Sequence, residues 1–237
     1  MPSSYKRLLL KVSGEGFARK GETGLDVERV SALAEQLKQL ISEGTQIACV
    51  IGGGNILRGA QSEGLGIARA TADYMGMLAT VINGLALCDS LEAHGVPTRV
   101  MSAIEVDKVC EPFIRRRALR HMEKGRVIVL AGGLGSPYFT TDTAAAQRAV
   151  ELDCDVLLKA TMVDGVFDAD PREHPTATLL PDLTFTEVLD RRLKVMDQTA
   201  FALCRENDLP LVVFNMECPD GVVRAAAGEN VGTLIHN

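Results

Sequence analysis

The chain has 237 residues, 46% of them hydrophobic and 24% charged, with a formal net charge of −6. That length and apolar content suffice for one sizeable core, read here as a single domain over residues 1–237. The acidic balance speaks against broad electrostatic binding to nucleic acid or to an anionic membrane. Met1 to Ser4 pass directly into a strand, without a basic start and apolar run, so a cytoplasmic protein is expected.

The first strand is expected at 7–12 and runs into Ser13-Gly14-Glu15-Gly16. Lys11 stands in that otherwise apolar strand. Burying its ammonium is costly unless it meets an anion, so phosphate is favoured over a structural ion pair. A charged surface turn at Arg19 to Gly24 precedes a helix at 26–42 and a strand at 46–51 that empties into Gly52, Gly53 and Gly54. Arg58, four residues on, offers a planar fork of donors to the same region, or is an ordinary surface helix residue. A helix follows at 71–93, with apolar positions at Met75, Leu78, Ile82 and Leu85. Asp73, Asn83 and Asp89 within it argue against a membrane span. Its apolar flanks suggest burial on two sides, against its own sheet and against another subunit.

A strand at 97–101 leads to a helix at 111–124, where Arg115, Arg116, Arg117 and Arg120 read as a solvated face. The strand at 126–130 ends in a third glycine-rich turn, AGGLGSPYFTTD, before a helix at 142–152. Asp142 has two compatible roles there: N-cap of that helix, or a group orienting Lys11 beside an anion site made by free N–H groups and the hydroxyls of Thr140 and Thr141. After a strand at 155–159 the segment VDGVFDADPREHPTATLLPDL reads as a short hairpin and a surface loop. Helices at 186–193 and 197–207, a strand at 211–214, a helix at 220–227 and a strand at 232–235 complete the chain. The alternation implies an α/β fold with a largely parallel sheet, helices on both faces, and the carboxyl ends of the strands as the functional rim.

Six cysteines without a CxxC pair read as buried, reduced thiols, and none of the four histidines has metal-ligand spacing. A P-loop, a dinucleotide GxGxxG after the first strand and the protein-kinase HRD and DFG strings are absent. Three glycine turns at strand ends nevertheless place several backbone N–H groups along one sheet edge, where a polyphosphate is the economical ligand. Phosphoryl transfer needs positioning and charge neutralisation, which these loops, Lys11, Arg58 and a magnesium ion would supply.

Together, KVSGE at 11–15, IGGGNILRG at 51–59, ADYMGMLATVINGLAL at 72–87, FTTDTAA at 139–145, LLKATMVDGVFDADP at 157–171 and LKVMDQTAF at 193–201 resemble the bacterial uridylate kinase family, the UMP kinase branch of the amino acid kinase superfamily. The match runs in order over nearly the whole chain. The resemblance implies a three-layer α/β/α sandwich, a homohexamer, and transfer from ATP to UMP with Mg2+, giving ADP and UDP in pyrimidine nucleotide biosynthesis. GTP would activate and UTP inhibit. Lys11, Arg58 and Asp142 would be catalytic, with no protein metal site because magnesium rides mainly on nucleotide phosphates. Lys11, Val12, Ser13 and Gly14, continued by Gly54 and Arg58, would hold the ATP phosphates, and Thr161, Phe167 and Asp170 the adenosine. Phe167 is otherwise a hairpin core residue. Gly53, Asp73 and the loop Leu134, Gly135, Ser136, Pro137, Tyr138, Phe139, Thr140 and Thr141 would bind UMP, although Asp73 also suits a helix first turn. Arg19, Lys20, Gly21, Glu22, Thr23 and Gly24 align with the allosteric GTP region, and Lys159 is a further candidate at the phosphates.

One departure stands out. GLGSPYFTTD replaces the family's usual GTGNPFFTTD, so Leu134 lacks a hydroxyl and Ser136 is shorter than asparagine; base-side hydrogen bonds would pass to backbone or water. Two rival readings remain at this level: another superfamily kinase acting on a carboxylate, carbamate or isoprenoid phosphate, and a non-catalytic nucleotide or oxyanion binder of the storage type.

Overall fold

The computed structural model describes residues 3–57, 66–171, 173, 174 and 176–237. Arg58 lies outside the described residues. The strands are β1 (Arg7–Val12), β2 (Gln46–Ile51), β3 (Thr98–Ser102), β4 (Glu111–Pro112), β5 (Val127–Ala131), β6 (Val156–Thr161), β7 (Asp182–Thr184), β8 (Leu211–Asn215) and β9 (Gly232–His236). They form one described sheet in the order β4-β3-β5-β2-β1-β6-β8-β9-β7. All neighbours pair in parallel except β8 with β9, which is antiparallel.

The near-continuous apolar runs RLLLKV, QIACVI and VIVLA are what a parallel strand covered on both faces requires. Period-two alternation then sorts the side chains. Leu8, Leu10 and Val12 join a core formed with α1 (Val27–Ser42), α2 (Arg69–Ala93) and α7 (Gly221–Ala226). Leu9 points into the opposite core, against α3 (Arg115–Glu123), α4 (Thr141–Glu151), α5 (Phe185–Asp190) and α6 (Gln198–Glu206). Lys11 is two residues from Leu9 and shares that second face. So does Lys159, two residues from Leu157 and register partner of Lys11 across β1 and β6.

The connection after β1 runs to β2 on one side, whereas β6 is followed on its other side by β8. The two lysines therefore sit at the point where the winding of the sheet reverses, where open α/β sheets place their ligands.

Several local expectations change. The helix expected from 111 begins at 115, because Glu111–Pro112 pairs as a short edge strand with β3, a position where the missing N–H of proline is tolerated. The loop after the hairpin contains β7, which pairs with β9. The apolar stripe of α2 is also differently phased. Met75, Leu78 and Ile82 are exposed at 37%, 48% and 48%, and the inward face carries Met77, Val81, Leu87 and Leu91. α2 is long and apolar enough to cross a membrane, but that inward face lies in the core beside β2, β3 and β5. The six cysteines are free thiols, and burial pushes Cys49 up to about 12.

Candidate active site

The rim of the sheet is built where backbone meets backbone. A Cβ at Gly14 would collide with the Gly54 nitrogen, and one at Gly52 would lie 2.7 Å from the Gly14 nitrogen. The turns after β1 and β2 can interlock only because neither carries a side chain there. Gly53 packs as tightly on α2, where an added Cβ would meet the Gly76 carbonyl at 2.8 Å.

Other glycines do the opposite. An added Cβ at Gly54, Gly76 or Gly133 would meet, among the described residues and apart from its own chain neighbours and helix, no atom within 4 Å. All three line one cleft of about 640 Å³, together with Leu57, Asp73, Thr80, Leu134, Phe139 and Thr141. Space is left open here on three separate segments, which suits a ligand that approaches the backbone closely. Gly76 tests this. Alanine in a helix interior gains about 1 kcal/mol over glycine, so Gly76→Ala is expected to raise the thermal midpoint while weakening nucleotide binding in a titration. Gain of stability with unchanged binding would show that the space is incidental.

Asp142 sits at the start of α4. It is not the cap: the Thr140 hydroxyl accepts from the Asp142 and Thr143 N–H groups, both at 3.1 Å. That frees the carboxylate to face the sheet. Its Oδ1 lies 2.9 Å from Lys11 Nζ, and its Oδ2 accepts from Lys159 Nζ at 2.7 Å. Lys159 also donates to the Val195 carbonyl at 2.6 Å. Two cations and one anion leave a formal charge of +1 among these three side chains, 11%, 11% and 16% exposed, offset in part by the charge of Asp197 near Lys159. A partly desolvated excess cation calls for an anion.

Burial pushes the Asp142 carboxyl up, but Lys11 and Lys159 outweigh it and hold its pKa below the ordinary aspartate value. Burial acts most strongly on Lys159 and takes its pKa below the usual lysine value, opposed by Asp142 and aided by Lys11. A depressed carboxyl stabilises the fold fully above its unfolded pKa of about 4 and loses that contribution as pH falls through the folded value. In urea titrations, the stability gap between wild type and Asp142→Asn is expected to stay constant from neutral pH to about 5 and to narrow only below about 4. A gap that closes earlier would contradict the pairing.

The cleft's other polar wall is Asp73. Its carboxylate accepts from the Tyr138 N–H at 2.8 Å and from Arg69 Nε at 2.9 and 3.1 Å, which together outweigh burial and lower its pKa. The bond to Tyr138 ties the 134–141 loop to the second turn of α2, so Asp73 is not the first-turn charge its sequence position allowed. Tyr138 itself is in the left-handed region at φ 73° and is exposed, with Arg69 over its ring at 5.6 Å.

The remaining expected residues fall into place unevenly. Of the UMP set, Gly53, Asp73, Leu134, Phe139 and Thr141 line the cleft. Gly135, Ser136, Pro137 and Tyr138 carry the loop around without lining it. The Thr140 hydroxyl is committed to capping and to Asp197 Oδ2 at 2.5 Å. Of the ATP set, the Val12 side chain is wholly buried in the core, which leaves only its main chain for a ligand. Ser13 is half-buried, and Gly14 and Gly54 form the interlock. Thr161 ends β6 and Phe167 and Asp170 follow it, on the opposite side of β1 from β2 and β5. There Thr161 Oγ1 accepts from the Val163 N–H at 3.0 Å and Phe167 bridges Leu179. Arg19 is exposed and paired with Asp26 at 2.6 Å in the turn that ends at Gly24.

Sequence reasoning gave no role to Asp197, which caps α6 and accepts from the hydroxyls of both Thr140 and Thr143. It also underrated Lys159. The signal was present: LLLKV and VLLKAT are two apolar strands, each with one lysine at the same register.

The comparisons with known proteins agree with this geometry. The model of the amino acid kinase family matches residues 6–215. The fold is similar to a UMP kinase from Bacillus anthracis at TM-score 0.94 and 39% identity, covering 100% of this chain and 97% of that one. A UMP kinase from Ureaplasma parvum aligns at 0.93 and 39%, covering 98% and 99%. A uridylate kinase from Archaeoglobus fulgidus aligns at 0.75 and 26%, covering 96% and 99%. Matched over most of its length in sequence and over all of it in structure, the chain belongs to the amino acid kinase family.

Proposed function

We propose that the protein is a UMP kinase that transfers the γ-phosphoryl group of ATP to UMP, giving ADP and UDP. The observation that carries this is the Lys11–Asp142–Lys159 cluster, set at the winding reversal of the sheet in a chain that matches UMP kinases end to end. On one side of β1 lies the cleft with Asp73, Phe139 and Thr141, proposed for UMP. On the other lies the hairpin with Thr161, Phe167 and Asp170, proposed for the adenosine of ATP. Reacting phosphates brought in from both sides would meet over the two ammonium groups.

The chemistry asks little more. The second pKa of a phosphate monoester is about 6, so the acceptor oxygen of UMP is already mostly deprotonated at neutral pH and no general base is needed. Asp142 is poorly suited to be one, since a carboxylate with a lowered pKa is a weak base. Its role is to hold Lys11 and Lys159 where charge builds up on the transferred group. Asp142 Oδ2 accepts from Lys159, and Oδ1, buried without a hydrogen-bond partner, faces Lys11 as an ion pair, so the side chains that offer donors here are the two lysines. The donor set thus suits phosphates, and in this reading magnesium arrives on ATP, where it offsets phosphate charge.

The finer expectations belong to the same proposal. The exposed turn from Arg19 to Gly24 is the candidate GTP site, and a cleft shaped for uridine gives UTP a route to inhibition. Tyr74, Met75, Leu78 and Ile82 leave an apolar face of α2 uncovered, which supports self-association towards a homohexamer. A cytoplasmic place in pyrimidine nucleotide biosynthesis completes the picture.

The test is coupled ADP release with ATP and magnesium, offering UMP, CMP, dUMP or N-acetylglutamate as acceptor. Turnover with UMP well above the others is expected. Turnover with N-acetylglutamate alone would make it a different kinase of the family, and none at all with ATP bound would favour the storage reading.

A further inference from the structure

The triple-glycine loop has no side chains with which to fix its own position. Two amides beneath it do so. Asn55 and Asn83 are 1% and 0% exposed and bond reciprocally, Asn55 Nδ2 to Asn83 Oδ1 at 3.0 Å and Asn83 Nδ2 to Asn55 Oδ1 at 2.7 Å. The second hydrogen of Asn83 Nδ2 goes to the Gly52 carbonyl at 2.8 Å, and that of Asn55 Nδ2 to the Gly24 carbonyl at 2.7 Å. All four amide hydrogens are thereby used. A fully satisfied buried network has one low-energy arrangement and resists partial displacement.

The network joins three parts that are far apart in sequence. Asn83 lies on the same face of α2 as Gly76 and Thr80, which line the nucleotide cleft. Gly52 begins the glycine loop. Gly24 ends the exposed turn, and its own N–H donates back to the Asn55 carbonyl at 2.9 Å, so the turn is clamped by two bonds.

We infer that Asn55 and Asn83 are positioning residues for the nucleotide cleft, and that they make the Gly24 turn, the glycine loop and the cleft face of α2 shift as one unit. Binding in the cleft then orders the Gly24 turn through Asn55. The kinetic part of this rests on the UMP kinase reading.

The experiment compares wild type, Asn55→Ala and Asn83→Ala at a temperature where circular dichroism shows each folded. Asn83→Asp, nearly isosteric but without either donor, replaces Asn83→Ala if that variant does not fold. KM for UMP is expected to rise about ten- to a hundred-fold, the scale of a misplaced binding group. Amide exchange in the unliganded variants is expected to quicken at 19–24 and 52–55 together, ahead of β1 and β2. UMP should slow exchange at 19–24 in wild type and not in Asn55→Ala. Folded variants with KM and kcat within about two-fold of wild type, or faster exchange in the glycine loop with none in the turn, would overturn the inference. Wild type without UMP turnover would sink the kinase reading alone, since exchange in the unliganded protein still decides this one.

Discussion

Alanine at Asp142 is expected to destabilise the protein by about 3 kcal/mol, near the low end for breaking a buried ion pair, and to reduce kcat at least about a hundred-fold. The first effect follows from charge. Wild type holds two ammonium groups on the Asp142 carboxylate, and the variant leaves Lys11 without its described counter-ion and Lys159 with the Val195 carbonyl and the more distant charge of Asp197. The low end applies because Lys159 keeps the Val195 carbonyl as a hydrogen-bond acceptor and the charge of Asp197 nearby. The second follows from geometry, since neither lysine is then held over the reacting phosphates. Urea midpoints measured with and without inorganic phosphate check the charge argument: phosphate should stabilise Asp142→Ala more than wild type. Equal stabilisation would mean that the cluster is not an anion site.

The two lysines are expected to differ. An ammonium has three donor hydrogens. Lys159 spends two inside the protein, on Asp142 and on Val195, whereas Asp142 is the one described partner of Lys11. Lys11 therefore has more to offer a substrate, and Lys159 does more to hold α4 and the 193–197 segment against β6. Lys11→Ala should lower kcat about 10²–10³-fold with little change in the unfolding midpoint. Lys159→Ala should lose about ten-fold in kcat and show the larger drop in stability. The reverse ranking would assign the phosphate contact to Lys159.

How far the sequence led depended on what kind of signal each element carried. The parallel strands were legible within a residue or two, because burial on both faces leaves an unmistakable apolar run between turns. β4 and β7 were not: pairs and triplets such as Glu111–Pro112 and Asp182–Thr184 are too short to show a period, and pairing with β3 and β9 is what makes them strands. The existence of α2 was plain and its orientation was not, since apolar residues occur on both its sides and Met75, Leu78 and Ile82 fit a core stripe as well as Met77, Val81 and Leu87 do. In FTTD three consecutive residues can cap a helix, and only in the folded chain is it settled that Thr140 caps while Asp142 turns to the lysines. Asp197 and the Asn55–Asn83 pair act through partners between 28 and 57 residues away, contacts that no local pattern encodes.

The most direct measurement is a single-turnover experiment with γ-labelled ATP, magnesium and saturating UMP, quenched on the millisecond scale, in wild type and in Lys11→Ala. Labelled UDP is expected from wild type, and from the variant equilibrium binding of both nucleotides within about ten-fold with label transfer slowed at least about a hundred-fold. Label transfer by Lys11→Ala at the wild-type rate would contradict the role proposed for Lys11.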